Sequence, residues 1–262
     1  ADIITPTEIE ISASITDIGT GRILKQGAGT LALTGNNSTT LTAHATNLNV
    51  GFLAIGSGNA LGDAASTLNV TAATSLLALP GGGSVSDSHG ITLGAGLTLR
   101  GDENLTLAGN VTATAAQTLT FNLNVGKTAT LSGGLNLNAA ATAAITLTNN
   151  TLNGDVLISG VINETGVGAM GITKGGVGQV TLSGTNLHDG ATTVSGGILR
   201  ITNANALGTA TPTGNTVVNA GFSLQVGGNI TVSEPLSLNG NGFGNFGALW
   251  IYDAAGTSET VS

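Results

Sequence analysis

At 262 residues the chain is long enough to bury a sizeable core. Charged residues are only 8% of it while 40% is apolar, which excludes a disordered chain, and its 42 glycines lack the three-residue period of collagen. The formal net charge of −8, with six bases scattered singly, excludes a nucleic-acid-binding surface, and the lack of cysteine excludes disulfide scaffolds, zinc–cysteine sites and thiol nucleophiles.

No apolar run approaches the ~18 residues of a membrane helix, so this segment is not expected to insert in a membrane. Residues 1–10 carry Asp2, Glu8 and Glu10 around Pro6 and read as a lead-in strand or a loose terminus. They lack the basic and apolar regions of a secretory signal, so the chain either works in the cytosol or has lost its signal. Residues 11–62 hold short apolar/polar/apolar triplets, Leu31/Leu33 and Leu53/Ile55, separated by glycine, asparagine and serine. Each triplet reads as a short strand with one buried face, because side chains alternate along a strand.

Residues 63–90 add strand candidates at Leu68/Val70 and Leu77/Leu79, then the turn cluster Pro80–Ser84. Residues 91–126 have the most regular spacing, with inward pairs at Ile91/Leu93, Leu97/Leu99, Leu105/Leu107, Val111/Ala113 and Leu119/Phe121. Three such steps make one coil of about 20–22 residues in a three-sided solenoid. A longer strand is expected over 117–125, with Leu123 and Val125 also inward. Residues 127–156 continue with Leu135/Leu137 and Ile145/Leu147, and the alanine run at Ala139–Ala144 reads as strand and turn between them.

From residue 158 the chain repeats itself. Lys25 matches Lys174, Leu31/Leu33 match Val180/Leu182, and Leu53/Ile55 match Leu199/Ile201. Asn59-Ala60-Leu61-Gly62 returns as Asn205-Ala206-Leu207-Gly208. The offset is 149 residues at the lysine and 146 at the last motif, so the loops between units differ slightly. The repeat spans 11–62 and 158–208, and the whole of 1–262 reads as one β-helical segment of a longer protein.

Lys25, Gly27, Gly29, Leu31, Leu33, Gly35 and Asn37, echoed by Lys174, Gly176, Gly178, Val180, Leu182, Gly184 and Asn186, resemble the passenger-associated β-strand repeats of bacterial autotransporters. Thr192 to Ile201 and Asn205 to Gly208 continue the resemblance, whereas Leu48 to Leu53 of the first copy depart from it. The resemblance implies a right-handed parallel β-helix exposed outside a bacterial cell, exported with a C-terminal membrane barrel. It brings no catalytic residues.

Candidate chemistry is sparse. His44, His89 and His188 lie in polar loops without the spacing of a zinc pair and read as solvated turn residues. His188-Asp189 has no G-x-S-x-G elbow to complete a hydrolase. Asp102-Glu103 is the adjacent acid pair, read as a solvated turn unless folding lines up carboxylates for sugar hydrolysis. Gly81-Gly82-Gly83 lacks the aspartates of a calcium coil. No catalytic, metal or cofactor set is expected. Phe243, Phe246, Trp250 and Tyr252 cluster near the end, either as stacked core or as a contact surface.

The expected function is therefore a non-enzymatic extracellular stalk, fibre or adhesin segment at a bacterial surface. Expected partners are neighbouring repeats, an end-to-end copy, or a host or matrix glycan or protein. A self-assembling filament subunit and a carbohydrate-active β-helix enzyme are the alternatives.

Overall fold

The structure is a computed structural model and describes residues 7–16, 22–138, 144–166, 168–209, 214–252 and 260–261. Three parallel sheets enclose one core. The first stacks Thr7–Ile11, Thr30–Leu33, Phe52–Ile55, Thr74–Ala78, Leu97–Gly101, Thr118–Leu123, Ala144–Asn149, Gly171–Gly175, Thr192–Val194, Thr216–Val218 and Leu236–Leu238. The second holds Arg22–Lys25, Ala45–Leu48, Thr67–Val70, Gly90–Leu93, Val111–Ala113, Leu135–Leu137 and Ile162–Glu164. The third runs from Val85–Asp87 through Leu105–Leu107, Thr128–Leu131, Asp155–Ile158, Gln179–Leu182, Ile198–Ile201 and Ser223–Gly227 to Leu249–Tyr252. A complete coil visits the first, third and second sheets in turn. This is a three-sided parallel β-helix.

The triplets work as alternation requires. Leu97 pairs with Leu119 and Leu99 with Phe121, and all four are buried. Val180, Leu199 and Leu224 stack on one another in the third sheet, each fully buried. Removing one such leucine from water stabilises by roughly 1.5–3 kcal/mol, and like residues one rung apart pack against one another.

Three expectations need correction. Paired residues lie 19 to 29 apart in sequence, wider than 20–22, because the corners hold variable numbers of residues. The first sheet has eleven described strands, so the described rod spans about 48 Å at ~4.8 Å per strand, fewer coils than a 20-residue unit implies. The pair turned inward near residue 77 is Leu76/Ala78. Leu77 points outward into a small external cluster with Ala32, Ala54, Phe52 and Leu79. Val125 lies beyond the end of its strand and is 73% exposed. The expected turn at Ala139–Ala143 lies outside the described residues; Ala144 begins a strand.

The two copies of the repeat lie on different sides of the helix. Lys25 ends a strand of the second sheet, whereas Lys174 lies in the first. The Leu31/Leu33 strand is in the first sheet and its counterpart Val180/Leu182 is in the third. Six coils and one further side separate them. In each copy the third side carries no strand. Ledges at Asn37–Leu41 and Asn59–Gly62 take its place in the first copy, and ledges around Asn186 and Asn205 in the second.

Polar motif residues hold the corners between these strands. Lys174 is fully buried, its stem among the inward residues Leu147 and Val194. Its Nζ donates to the carbonyls of Gly175, Gly176 and Gly196 at 2.8, 3.1 and 2.9 Å. Lys25 Nζ does the same to Gly27 and Val50 at 2.7 and 3.0 Å. Gly51 follows at φ +83°, where a Cβ would stand 2.7 Å from that Nζ, so glycine is required on both steric and conformational grounds. Burial pulls the Lys174 ammonium down to about 7, while three carbonyl acceptors oppose that shift by favouring the charged form.

Candidate contact surface

The four aromatic residues lie outside the core. The third sheet places Arg200, Gln225 and Trp250 in one column, one per coil, pointing outward. The following column brings Gly227 beside Tyr252. Between Leu238 and Leu249 the chain leaves the first sheet, makes a 3-10 turn at Phe243–Asn245 and folds against Ser223. Ser223 Oγ donates to the Gly247 carbonyl at 2.6 Å and accepts from the Phe243 N–H at 2.8 Å. Gly242 and Gly247 have φ values of +77° and +106°, which let the loop double back.

This folding sets Phe246 on Trp250, with ring centroids 4.9 Å apart and planes 17° apart. Phe246 remains 64% exposed, and Phe243, Trp250 and Tyr252 are half-buried. Arg200 reaches across Gly227 to place its guanidinium 4.0 Å from the Tyr252 ring centroid. A Cβ at Gly227 would lie 3.7 Å from Arg200 Nη2 and 3.0 Å from the Tyr252 carbonyl oxygen. Gln225 is buried beneath these groups with its Oε1 unpartnered, as is Arg200 Nε. Rigid rings, one cation and an exposed Phe246 thus lie together on one face, and among the described residues no carboxylate pair or nucleophile joins them.

The histidines correct the sequence reading, because all three are buried. His89 Nε2 donates to the Gly62 carbonyl at 3.1 Å and Nδ1 pairs with Asp87 Oδ1. Burial opposes protonation of His89, but the bond and charge of Asp87 outweigh it and hold the pKa above its ordinary value. His188 Nε2 bonds Thr192 Oγ1 at 3.1 Å, and Thr192 Oγ1 donates to the Leu207 carbonyl at 3.3 Å. This chain implies the Nε2–H tautomer, with Nδ1 unpartnered. Burial lowers the His188 pKa to about 4. Its ring is a ledge support and no triad forms around it.

Several acids among the described residues are structural too. Glu103 accepts from the Gly81 N–H and pairs with Lys127 at 3.2 Å, tying three coils at one corner. Glu164 and Asp189 face each other across one coil. Glu164 accepts from the N–H groups of Met170 at 3.1 Å and Asp189 at 3.3 Å, and burial with its acidic neighbour raises its pKa. Among the described residues no three His, Cys, Asp or Glu gather to hold a metal ion.

Sequence reasoning missed Arg200 and Gln225. Their 25-residue spacing, repeated from Gln225 to Trp250, is a signal only once the coil length is known. It also missed the structural use of Asn37 and Asn186.

Two segments, residues 23–55 and 172–201, match the passenger-associated-transport-repeat family model. The chain is also similar to the adhesin BmaC autotransporter of Brucella suis biovar 1 (strain 1330), 36% identical over 99 residues. That alignment covers 35% of this chain and 3% of the adhesin, so the chain spans a small part of that relative's length. No solved structure matches the chain at a significant level.

Proposed function

We propose that this chain, similar over residues 23–55 and 172–201 to the passenger-associated-transport repeat and over 99 residues to an autotransporter adhesin, is a non-enzymatic segment of a surface stalk, fibre or adhesin exported to the outside of a bacterial cell. The observation that carries this reading is the use made of its buried polar groups. Lys25, Lys174, Asn37 and Asn186 are spent on holding one coil to the next. The Glu164 carboxyl serves the backbone in the same way, accepting from the N–H groups of Met170 and Asp189. The aromatic surface around Trp250 gives the rod a place to meet a protein or glycan partner, or an adjoining repeat.

The test is to display the chain on a non-adherent bacterium and measure attachment to matrix-coated surfaces. The purified chain is assayed in parallel for release of reducing ends from polysaccharides. Attachment that falls with Trp250→Ala and Phe246→Ala, without saccharide cleavage, supports the proposal. Cleavage that depends on Glu164 or Asp189 contradicts it and favours the enzyme alternative.

A further inference from the structure

The geometry points to a saccharide-binding groove on the second-copy ledge, taking an uncharged, polyhydroxylated ligand. The groove has a volume of about 450 Å³, within the ~300–1,000 Å³ of small-molecule sites. It opens where the second sheet lacks strands for two coils, between Ile162–Glu164 and the coil carrying Thr231–Val232. Its walls carry Thr185, Asn205, Thr209, Thr231, Ser233 and Glu234. Leu187, 52% exposed, supplies an apolar rim.

The first copy explains why the space exists. There the ledge residue Gly58 packs directly under Ser86, and a Cβ at Gly58 would collide with the Ser86 carbonyl oxygen. His89 completes that contact by donating to Gly62. In the second copy the residue matching Gly58 is Ala204, which carries that Cβ and lines the groove. The following coil stands off from the ledge, and a cleft replaces the packed contact.

The lining selects the ligand class. It holds no lysine or arginine, so phosphate, sulfate and acidic sugars meet no countercharge. It holds one carboxyl, too few for a hard cation. Glu234 is 7% exposed; its Oε1 accepts from Thr216 Oγ1 at 2.6 Å, and its Oε2 has no partner. Burial raises its pKa to about 7, so near neutrality it is available in the form that both donates and accepts. Hydroxyls and one amide match the mixed donors and acceptors of a sugar ring, with the Glu234 carboxyl covered beneath them, while Leu187 meets its C–H face.

The inference is independent of the stalk reading, since it concerns binding by the isolated chain and not attachment of cells. Saturation-transfer NMR on the full chain, with maltotriose, cellotriose, mannotriose and chitotriose against sialyllactose and calcium, is the experiment. At least one neutral trisaccharide is expected to bind. Ala204→Phe, which fills the groove, should weaken it about tenfold or more, and Asn136→Ala, on the outer face of the second sheet away from both the groove and the aromatic surface, should not. The double variant Thr231→Val/Ser233→Ala repeats the test without added bulk should Ala204→Phe fail to fold. No binding by any neutral trisaccharide, binding of sialyllactose or calcium alone, or binding unchanged in the folded groove variants overturns the assignment.

Discussion

Asn37 and Asn186 make the same two hydrogen bonds on different sides of the solenoid. Asn37 Oδ1 accepts from the Ile15 N–H and its Nδ2 donates to the Ala60 carbonyl, both at 2.7 Å. Asn186 Oδ1 accepts from the Ile162 N–H at 2.9 Å and its Nδ2 donates to the Ala206 carbonyl at 2.6 Å. Each amide thus joins the coil before to the coil after, and the N-A-L-G motif provides the second partner. A repeat built this way stays intact when rotated by one side, because its bonds run along the rod axis.

Asn186→Leu strands the Ile162 N–H and the Ala206 carbonyl in the core. Each orphaned group costs about 1–3 kcal/mol, so the variant should lose about 2–6 kcal/mol in urea unfolding. Asn136→Leu, at a half-buried outward position of the second sheet, should lose less than about 1 kcal/mol.

Lys174→Met keeps the buried stem and removes the ammonium from the carbonyls of Gly175, Gly176 and Gly196. Loss of charge-assisted bonds predicts a destabilisation of about 2–4 kcal/mol, read by denaturant unfolding. A stabilised Lys174→Met would show that the burial cost of the charge exceeds what the cage returns.

The ledges should respond oppositely to one methyl group. Gly58→Ala drives a Cβ into the Ser86 carbonyl and should cost more than about 2 kcal/mol. Ala204→Gly, at the matching site beside the groove, should cost about 1 kcal/mol or less, the ordinary penalty of glycine. Thermal unfolding of the two variants measures the difference.

Glu234 and His188 push the pH dependence in opposite directions. Glu234, raised by burial from 4.5 to about 7, contributes stability that is present below pH 4.5 and lost as pH rises through 7. His188, lowered by burial from 6.5 to about 4, contributes stability that is present above pH 6.5 and lost as pH falls towards 4. Each is worth at most about 3 kcal/mol, so between pH 4.5 and 6.5 they largely cancel. Glu234→Gln should expose a loss of stability on acidification across that window, and His188→Gln a gain, in urea unfolding at both pH values.

Much of the fold was legible because doublets such as Leu97/Leu99 and Leu105/Leu107 alternate with threonine, and alternation fixes a buried face. Leu76, Leu77, Ala78 and Leu79 are all apolar, so alternation could not set their phase, and the external cluster on the first sheet decided it. The histidines misled because their neighbours are short polar residues that read as solvated. In the fold those residues bond between coils, and His188 and His89 are sealed beneath them. The aromatic cluster was visible as a cluster. Its Arg200 and Gln225 members lie one and two coils earlier and become neighbours only through stacking.

The parallel, one-rung-per-coil stack is the central claim, and spin-label distances test it most directly. Asn47, Asn69, Thr92, Thr112, Asn136 and Asn163 form one outward column of the second sheet. With one label at residue 47 and the second at 112, 136 or 163, double electron–electron resonance should give separations near 14, 19 and 24 Å, rising by about 4.8 Å per coil. Separations that fail to increase in that order, as hairpin pairing of neighbouring strands would produce, would contradict the stack.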